Sequence, residues 1–211
     1  DFILFGEGNY NTLGVLHCMG ERRIDVFLLL VGPGKQCLKG NVVGYSRYAR
    51  YGYTVNTVQE GLKWILANAI NFPKGTVIYP TSDTAETLLD SHLEILTPHF
   101  VFPNCGQQGE VTRLMEKDVQ TDIAAKCDIR TLKSLYTNNP NCNLAEANYP
   151  CMVKPLISIA GSKGDMCVCN NGKELEDALS TARHTQEFII QQYIQNEADL
   201  LFLGIRFPNG K

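Results

Sequence analysis

The sequence predicts an α/β protein in two parts: a parallel-sheet domain over residues 1–110, then a smaller α+β layer over residues 111–211 that is incomplete at its C-terminus. Three observations predict this. Short apolar runs alternate with helical patterns through the first part, which means crossover units on a parallel sheet. After residue 150 the rhythm becomes strand, small-residue loop, strand, helix, strand, strand. The chain ends in Arg206-Phe207-Pro208-Asn209-Gly210-Lys211, a strand entering an Asn-Gly turn with no return strand, as in a truncated chain.

The elements follow in order. Ile3-Leu4-Phe5 is a strand, followed by Gly6-Glu7-Gly8-Asn9 and a helix near Asn11 to Gly20. Ile24 to Val31 is a strand, and Val42-Val43 is a short one. Thr57 to Asn71 carries Leu62, Ile65, Leu66 and Ala69 at helical spacing. Thr76 to Tyr79 is a strand, and the helix after it presents Ala85, Leu88, Leu89, Leu93 and Leu96. Phe100 to Phe102 is the next strand, and Glu110 to Lys126 is helical in two pieces. The polar stretch from Asp128 to Asn148, broken at Asn138-Asn139-Pro140-Asn141, reads as a connector. Cys151 to Pro155, Met166 to Cys169, Glu187 to Ile194 and Leu200 to Phe207 read as strands, with a helix from Gly172 to His184.

Composition narrows the function. The chain has 211 residues, 44% hydrophobic and 19% charged, which is ordinary for a protein with a core of its own. The net charge of -3 and the lack of a basic stripe argue against nucleic acid as a partner. The apolar run Val26 to Val31 is far too short to span a membrane, and Asp1 to Phe5 is not a signal peptide. Eight cysteines occur at irregular spacing without a C-x-x-C pair or a zinc pattern, so no metal site is read from them. Reduced thiols fit a cytoplasmic protein. Cys167-x-Cys169 places both sulfurs on one face of a strand. The four histidines, His17, His92, His99 and His184, form no motif and read as surface or capping residues.

The chemistry-bearing residues cluster late. Lys154 at a strand end offers a point charge to a phosphate oxygen. The loop from Ser158 through Gly161, Ser162, Lys163 and Gly164 lets backbone N–H groups approach phosphates closely. The strand Ile189 to Ile194 leaves its sheet at Gln195-Asn196, where backbone groups can meet an adenine edge and Tyr193 or Ile194 its face. The loop does not fit the P-loop pattern, and Gly6-x-Gly8 lacks the third glycine of a dinucleotide fingerprint.

Taken in order, Glu116-Lys117-Asp118, Tyr149 to Pro155, Gly161 to Gly164 and Phe188 to Ile194 resemble the ATP-grasp superfamily. Gly6-x-Gly8-Asn9, Tyr45-Ser46-Arg47-Tyr48 and Tyr79-Pro80-Thr81-Ser82-Asp83 resemble its Rossmann-like pre-ATP-grasp domain, in a branch similar to the carbamoyl-phosphate synthase large subunit and to carboxylate–amine ligases. The resemblance implies that Lys117 and Lys154 contact nucleotide phosphate, that Ser158 to Gly164 close over it, that Gln191, Gln192, Tyr193 and Ile194 hold adenine, and that Asp199, or Glu197 nearby, holds the ribose. Gln192 stands where the family usually has a glutamate. Gly8, Asn9, Ser82 and Asp83 fall at strand ends on the substrate side, with helix capping as the competing role of Ser82 and Asp83.

The implied cofactors are ATP and magnesium, with the magnesium ligands expected beyond Lys211. The implied reaction activates a small carboxylate as an acylphosphate for attack by an amine. Phosphoryl transfer needs those magnesium ions, so the chain alone is expected not to catalyse the full reaction, and no residue of it is a convincing nucleophile or general base. Two alternatives stay open: a non-catalytic nucleotide-binding or interaction module, and an NAD-dependent oxidoreductase built on the opening half.

Overall fold

A computed structural model describes residues 1–32, 38–156, 165–182 and 187–198. The chain divides into two compact units, one running from Asp1 to Ile129 and the other beginning at Arg130. The first unit contains the whole of the expected 1–110 domain and continues through the helices that follow it.

In the first unit, strands β1 (Phe2–Glu7), β2 (Phe27–Val31), β3 (Tyr51–Val55), β4 (Thr76–Pro80) and β5 (Phe100–Val101) form one parallel sheet in the order β3-β2-β1-β4-β5. Both faces of this sheet are covered, so β1 and β2 are continuous apolar runs. Alternation sorts their side chains: Ile3, Phe5 and Leu29 join one core cluster, and Leu4, Leu28 and Leu30 join the other. Helix α1 (Tyr10–Glu21) buries Leu16 in the second cluster. Helices α2 (Val58–Ala67) and α3 (Asp83–Asp90) bury Leu62, Ile65, Ala85 and Leu89 in the first.

Three local readings are corrected. Val42–Tyr45 is a 3-10 helix capped by Asn41, whose Oδ1 accepts from Val43 N at 3.0 Å and Gly44 N at 3.2 Å. The missing strand is β3, at the sheet edge, where Gly52 interrupts the run. The helix expected to run from Ala85 to Leu96 is two, α3 and α4 (Leu93–Leu96). The two-piece reading of 110–126 matches α5 (Glu110–Leu114) and α6 (Lys117–Lys126).

The second unit carries an antiparallel sheet of β6 (Ser134–Tyr136), β7 (Cys151–Pro155), β8 (Cys167–Cys169) and β9 (Phe188–Gln192), in the order β6-β9-β7-β8. Strand β6 lies in the stretch read as a connector, because three residues are too short a run to show a period. Helix α7 (Gly172–Thr181) buries Leu175 against Cys151, Val153, Cys169, Phe188 and Ile190. Its start is fixed reciprocally: Asn171 Oδ1 accepts from Glu174 N at 3.0 Å, and Glu174 Oε2 accepts from Asn170 N at 2.8 Å. The expected strand at Leu200 to Phe207 and the turn after it lie outside the described residues, as do Cys37 and His184.

Candidate functional site: a cavity on the second sheet

Strand alternation makes the site. In β7 the side chains of Cys151 and Val153 turn into the core under α7, so Met152 and Lys154 point to the opposite face. In β9 the same rule turns Ile190 inward and Gln191 outward, and the register sets Gln191 opposite Met152. Gln191 Nε2 donates to Ser134 Oγ at 2.8 Å, which fixes the glutamine against β6. Beyond Gln192 the chain leaves the sheet, and Tyr193 N donates to Pro150 O at 2.8 Å.

These residues enclose a cavity of about 310 Å³, lined by Leu132, Met152, Lys154, Gln191, Gln192, Tyr193, Ile194 and Asn196. Five of them (Lys154, Gln191, Gln192, Tyr193 and Ile194) are residues singled out in the sequence. The volume sits at the lower end of the range for small-molecule sites, about 300–1,000 Å³. The Lys154 ammonium makes no ion pair or hydrogen bond among the described residues. The backbone N–H of Ile194 likewise has no partner among them. Tyr193 and Ile194 are 36% and 54% exposed, so apolar surface faces the opening. A cation, a spare backbone donor and apolar walls can together hold a flat heterocycle bearing a phosphate.

Leu132, Met152 and Asn196 were not singled out from the sequence. The signal for Met152 was present, since it is two residues from Lys154 on one strand and shares its face. Leu132 precedes a strand that the sequence did not reveal.

The other candidates are placed as follows. Lys117 opens α6 in the first unit, where the N-terminal dipole favours an anion near its ammonium. Asn9 and Ser82 follow β1 and β4, adjacent strands at the point where the sheet order reverses. Both side chains cap helices: Asn9 Oδ1 accepts from Asn11 N at 3.1 Å, and Ser82 Oγ accepts from Ala85 N at 3.4 Å. Gly8 lies against Asn41, where an added Cβ would meet the carboxamide. Asp83 is exposed in the first turn of α3. Beneath them, Thr12 and Thr81 join α1 to the end of β4 through a 2.6 Å hydroxyl contact, and the Thr12 hydroxyl donates to Glu7 O.

Ser158, Gly161, Ser162, Lys163, Gly164 and Asp199 lie outside the described residues. Among the described residues no group of three or more His, Cys, Asp or Glu could hold a metal ion. The described histidines act structurally: His92 Nδ1 lies 2.9 Å from Leu88 O and His99 Nε2 lies 2.9 Å from Phe72 O.

The chain joins a parallel sheet whose strand order reverses to an antiparallel sheet with a cavity on its open face. No protein-family model and no curated protein sequence matches the chain. Solved structures do match in fold. An L-amino acid ligase from Bacillus licheniformis aligns with TM-score 0.62 and 16% identity over 92% of this chain and 44% of its own. The N5-carboxyaminoimidazole ribonucleotide synthetase from Thermotoga maritima aligns with TM-score 0.57 and 12% identity over 93% of this chain and 46% of its own. The D-alanine–D-alanine ligase from Helicobacter pylori aligns with TM-score 0.52 and 19% identity over 92% of this chain and 66% of its own. The chain therefore shares the fold of these structures and spans about half the length of the first two.

Proposed function

We propose that this chain is the nucleotide-holding part of an ATP-dependent ligase that activates a carboxylate as an acylphosphate for an amine. The observation that carries the reading is the single cavity shared by Lys154 and Gln191 to Ile194, where the Lys154 ammonium and the Ile194 backbone N–H find no partner among the described residues. The ammonium would neutralise phosphate charge. Adenine would lie against Met152, Tyr193 and Ile194 and accept from Ile194 N. Support comes also from the fold, shared with a synthetase from Staphylococcus aureus whose structure is complexed with ADP (TM-score 0.56, 13% identity, 93% of this chain and 47% of its own).

Within that reading, Lys117 and the stretch from Ser158 to Gly164 serve the phosphates, Asp199 serves the ribose, and magnesium accompanies ATP. The end of the first sheet, at Gly8, Asn9, Ser82 and Asp83, serves the second substrate. The finer reading places the whole protein near carbamoyl-phosphate synthase, acting on small molecules in the cytoplasm. No helix of the described residues is long and apolar enough to cross a membrane.

The test is ATP binding by calorimetry on a chain extended past Lys211, beside Lys154→Ala. Loss of one charge-assisted contact is worth about 1.5–3 kcal/mol, or roughly a tenfold to hundredfold weaker affinity. Unchanged affinity in the variant overturns the assignment. A second reading, a nucleotide-binding module without catalysis, draws on Gln192, an exposed amide where a glutamate is usual. ATP binding without nucleotide turnover in the extended chain would select it.

A further inference from the structure

Three thiols meet on the α7-facing side of the second sheet. Cys151 of β7 and Cys169 of β8 are register partners, 0% and 1% exposed. The sulfurs of Cys167 and Cys169 are 3.8 Å apart on the same face of β8. Cys169 is thus the common neighbour of the other two. A cavity of about 360 Å³ runs alongside, lined by Cys167 and Cys169 together with Asp165, Glu174 and Asp177. It gives a small solute a route to sulfurs that are otherwise core.

The two possible cross-links are not equivalent. Residues directly opposed on antiparallel strands have Cα atoms about 4.5–5.5 Å apart, inside the span of about 4.4–6.8 Å that a disulfide bridges. Residues two apart on one strand are separated by about 6.6 Å, at the limit of that span. The Cys151–Cys169 link therefore falls well inside that span, and the Cys167–Cys169 link at its edge. Access favours the opposite order. Cys167 is half-buried and lines the cavity, whereas burial pushes the Cys151 thiol up and, with the neighbouring Cys167, takes that of Cys169 up to about 12.

We propose that these three cysteines form an oxidisable site, entered by a hydroperoxide at Cys167 and ending in a Cys151–Cys169 disulfide across β7 and β8. The Cys167 sulfur attacks the peroxide. An S–O bond forms, the O–O bond breaks, and an alcohol (or water, from hydrogen peroxide) leaves, giving a sulfenic acid. The Cys169 sulfur displaces water from it and forms an S–S bond. The Cys151 sulfur then attacks Cys169, returning Cys167 as a thiol, and the better-placed span of the second disulfide favours this exchange. In sum, two thiols and one peroxide give one disulfide, one alcohol and one water. The product staples the two strands on either side of residues 157–164. The site does not depend on the nucleotide reading.

The test is titration of the intact chain with hydrogen peroxide, followed by alkylation and peptide mapping. The exposed Cys18, Cys105 and Cys127 serve as internal comparators. The expected result is one dithiothreitol-reversible disulfide joining Cys151 to Cys169, and at least a tenfold slower oxidation in Cys167→Ser with the same product. Cys151→Ser is expected to stop at the Cys167–Cys169 link. The proposal is overturned if the three thiols stay reduced at peroxide levels that oxidise the comparators, or if the wild-type disulfide joins Cys167 to Cys169.

Discussion

Asp90 and Thr112 hold each other across the first unit. The buried carboxylate of Asp90, at the end of α3, accepts from Thr112 N at 2.9 Å and Thr112 Oγ1 at 2.7 Å, with Val111 N at 3.4 Å. One acidic side chain thereby satisfies the otherwise orphaned N–H groups that open α5. Asp90→Ala leaves these donors without partners and is expected to cost about 2–3 kcal/mol by urea unfolding. Asp90→Asn keeps an acceptor and should cost less. Equal losses in both would show that the hydrogen bonds do not matter.

Glu86 lies on the same helix between Asp83 and Asp90. Burial, then the charges of Asp90 and Asp83, raises its pKa from 4.5 to about 7. The folded state therefore holds a proton that the unfolded chain releases earlier. Its contribution to stability is complete below about pH 4.5 and is lost as pH rises through about 7. Allowing for partial exposure, the loss amounts to about 1–2 kcal/mol. Glu86→Gln should match the wild type at pH 4.5 and exceed it in stability at pH 8. A constant difference across that range would sink the idea.

Gly61 of α2 faces Phe5 so closely that an added Cβ would run into the ring, reaching Cζ at 2.8 Å. Both are buried in the first core cluster or beside it. Gly61→Ala gains helix propensity of about 1 kcal/mol, yet it overpacks a full core at a cost of about 1–3 kcal/mol. Thermal unfolding should show net destabilisation, and the double change with Phe5→Leu should recover part of it. A more stable single variant would mean that Phe5 moves freely.

Ile194 lines the cavity, and its backbone N–H has no partner among the described residues. In a chain extended past Lys211, Ile194→Pro removes that donor, while Ile194→Ala keeps it. The expected ATP affinities differ by about tenfold, the worth of one net hydrogen bond. If the alanine variant binds as weakly as the proline variant, the side chain and not the backbone carries the contact.

Much of the cavity wall was legible in the sequence. Lys154 and the run from Gln191 to Ile194 stand out because a charged residue ends one apolar strand and a polar break ends another. Met152 could have been found by the same alternation. Leu132 could not, because β6 is three residues long and carries no period of its own. Tyr51–Val55 escaped because Gly52 interrupts its run of strand formers, and its pairing with β2 shows the strand.

By itself the sequence determined the alternating strands and helices of the first unit, the break in rhythm that opens the second, and the residue types suited to phosphate and adenine. These are local properties, set by periodicity and by the chemistry of each side chain. Only the tertiary structure decided the strand order β3-β2-β1-β4-β5, the sharing of one cavity by Lys154 and Ile194, and the meeting of Cys151 with Cys169. Each depends on register between strands distant in the chain, and register is fixed by which faces are buried together.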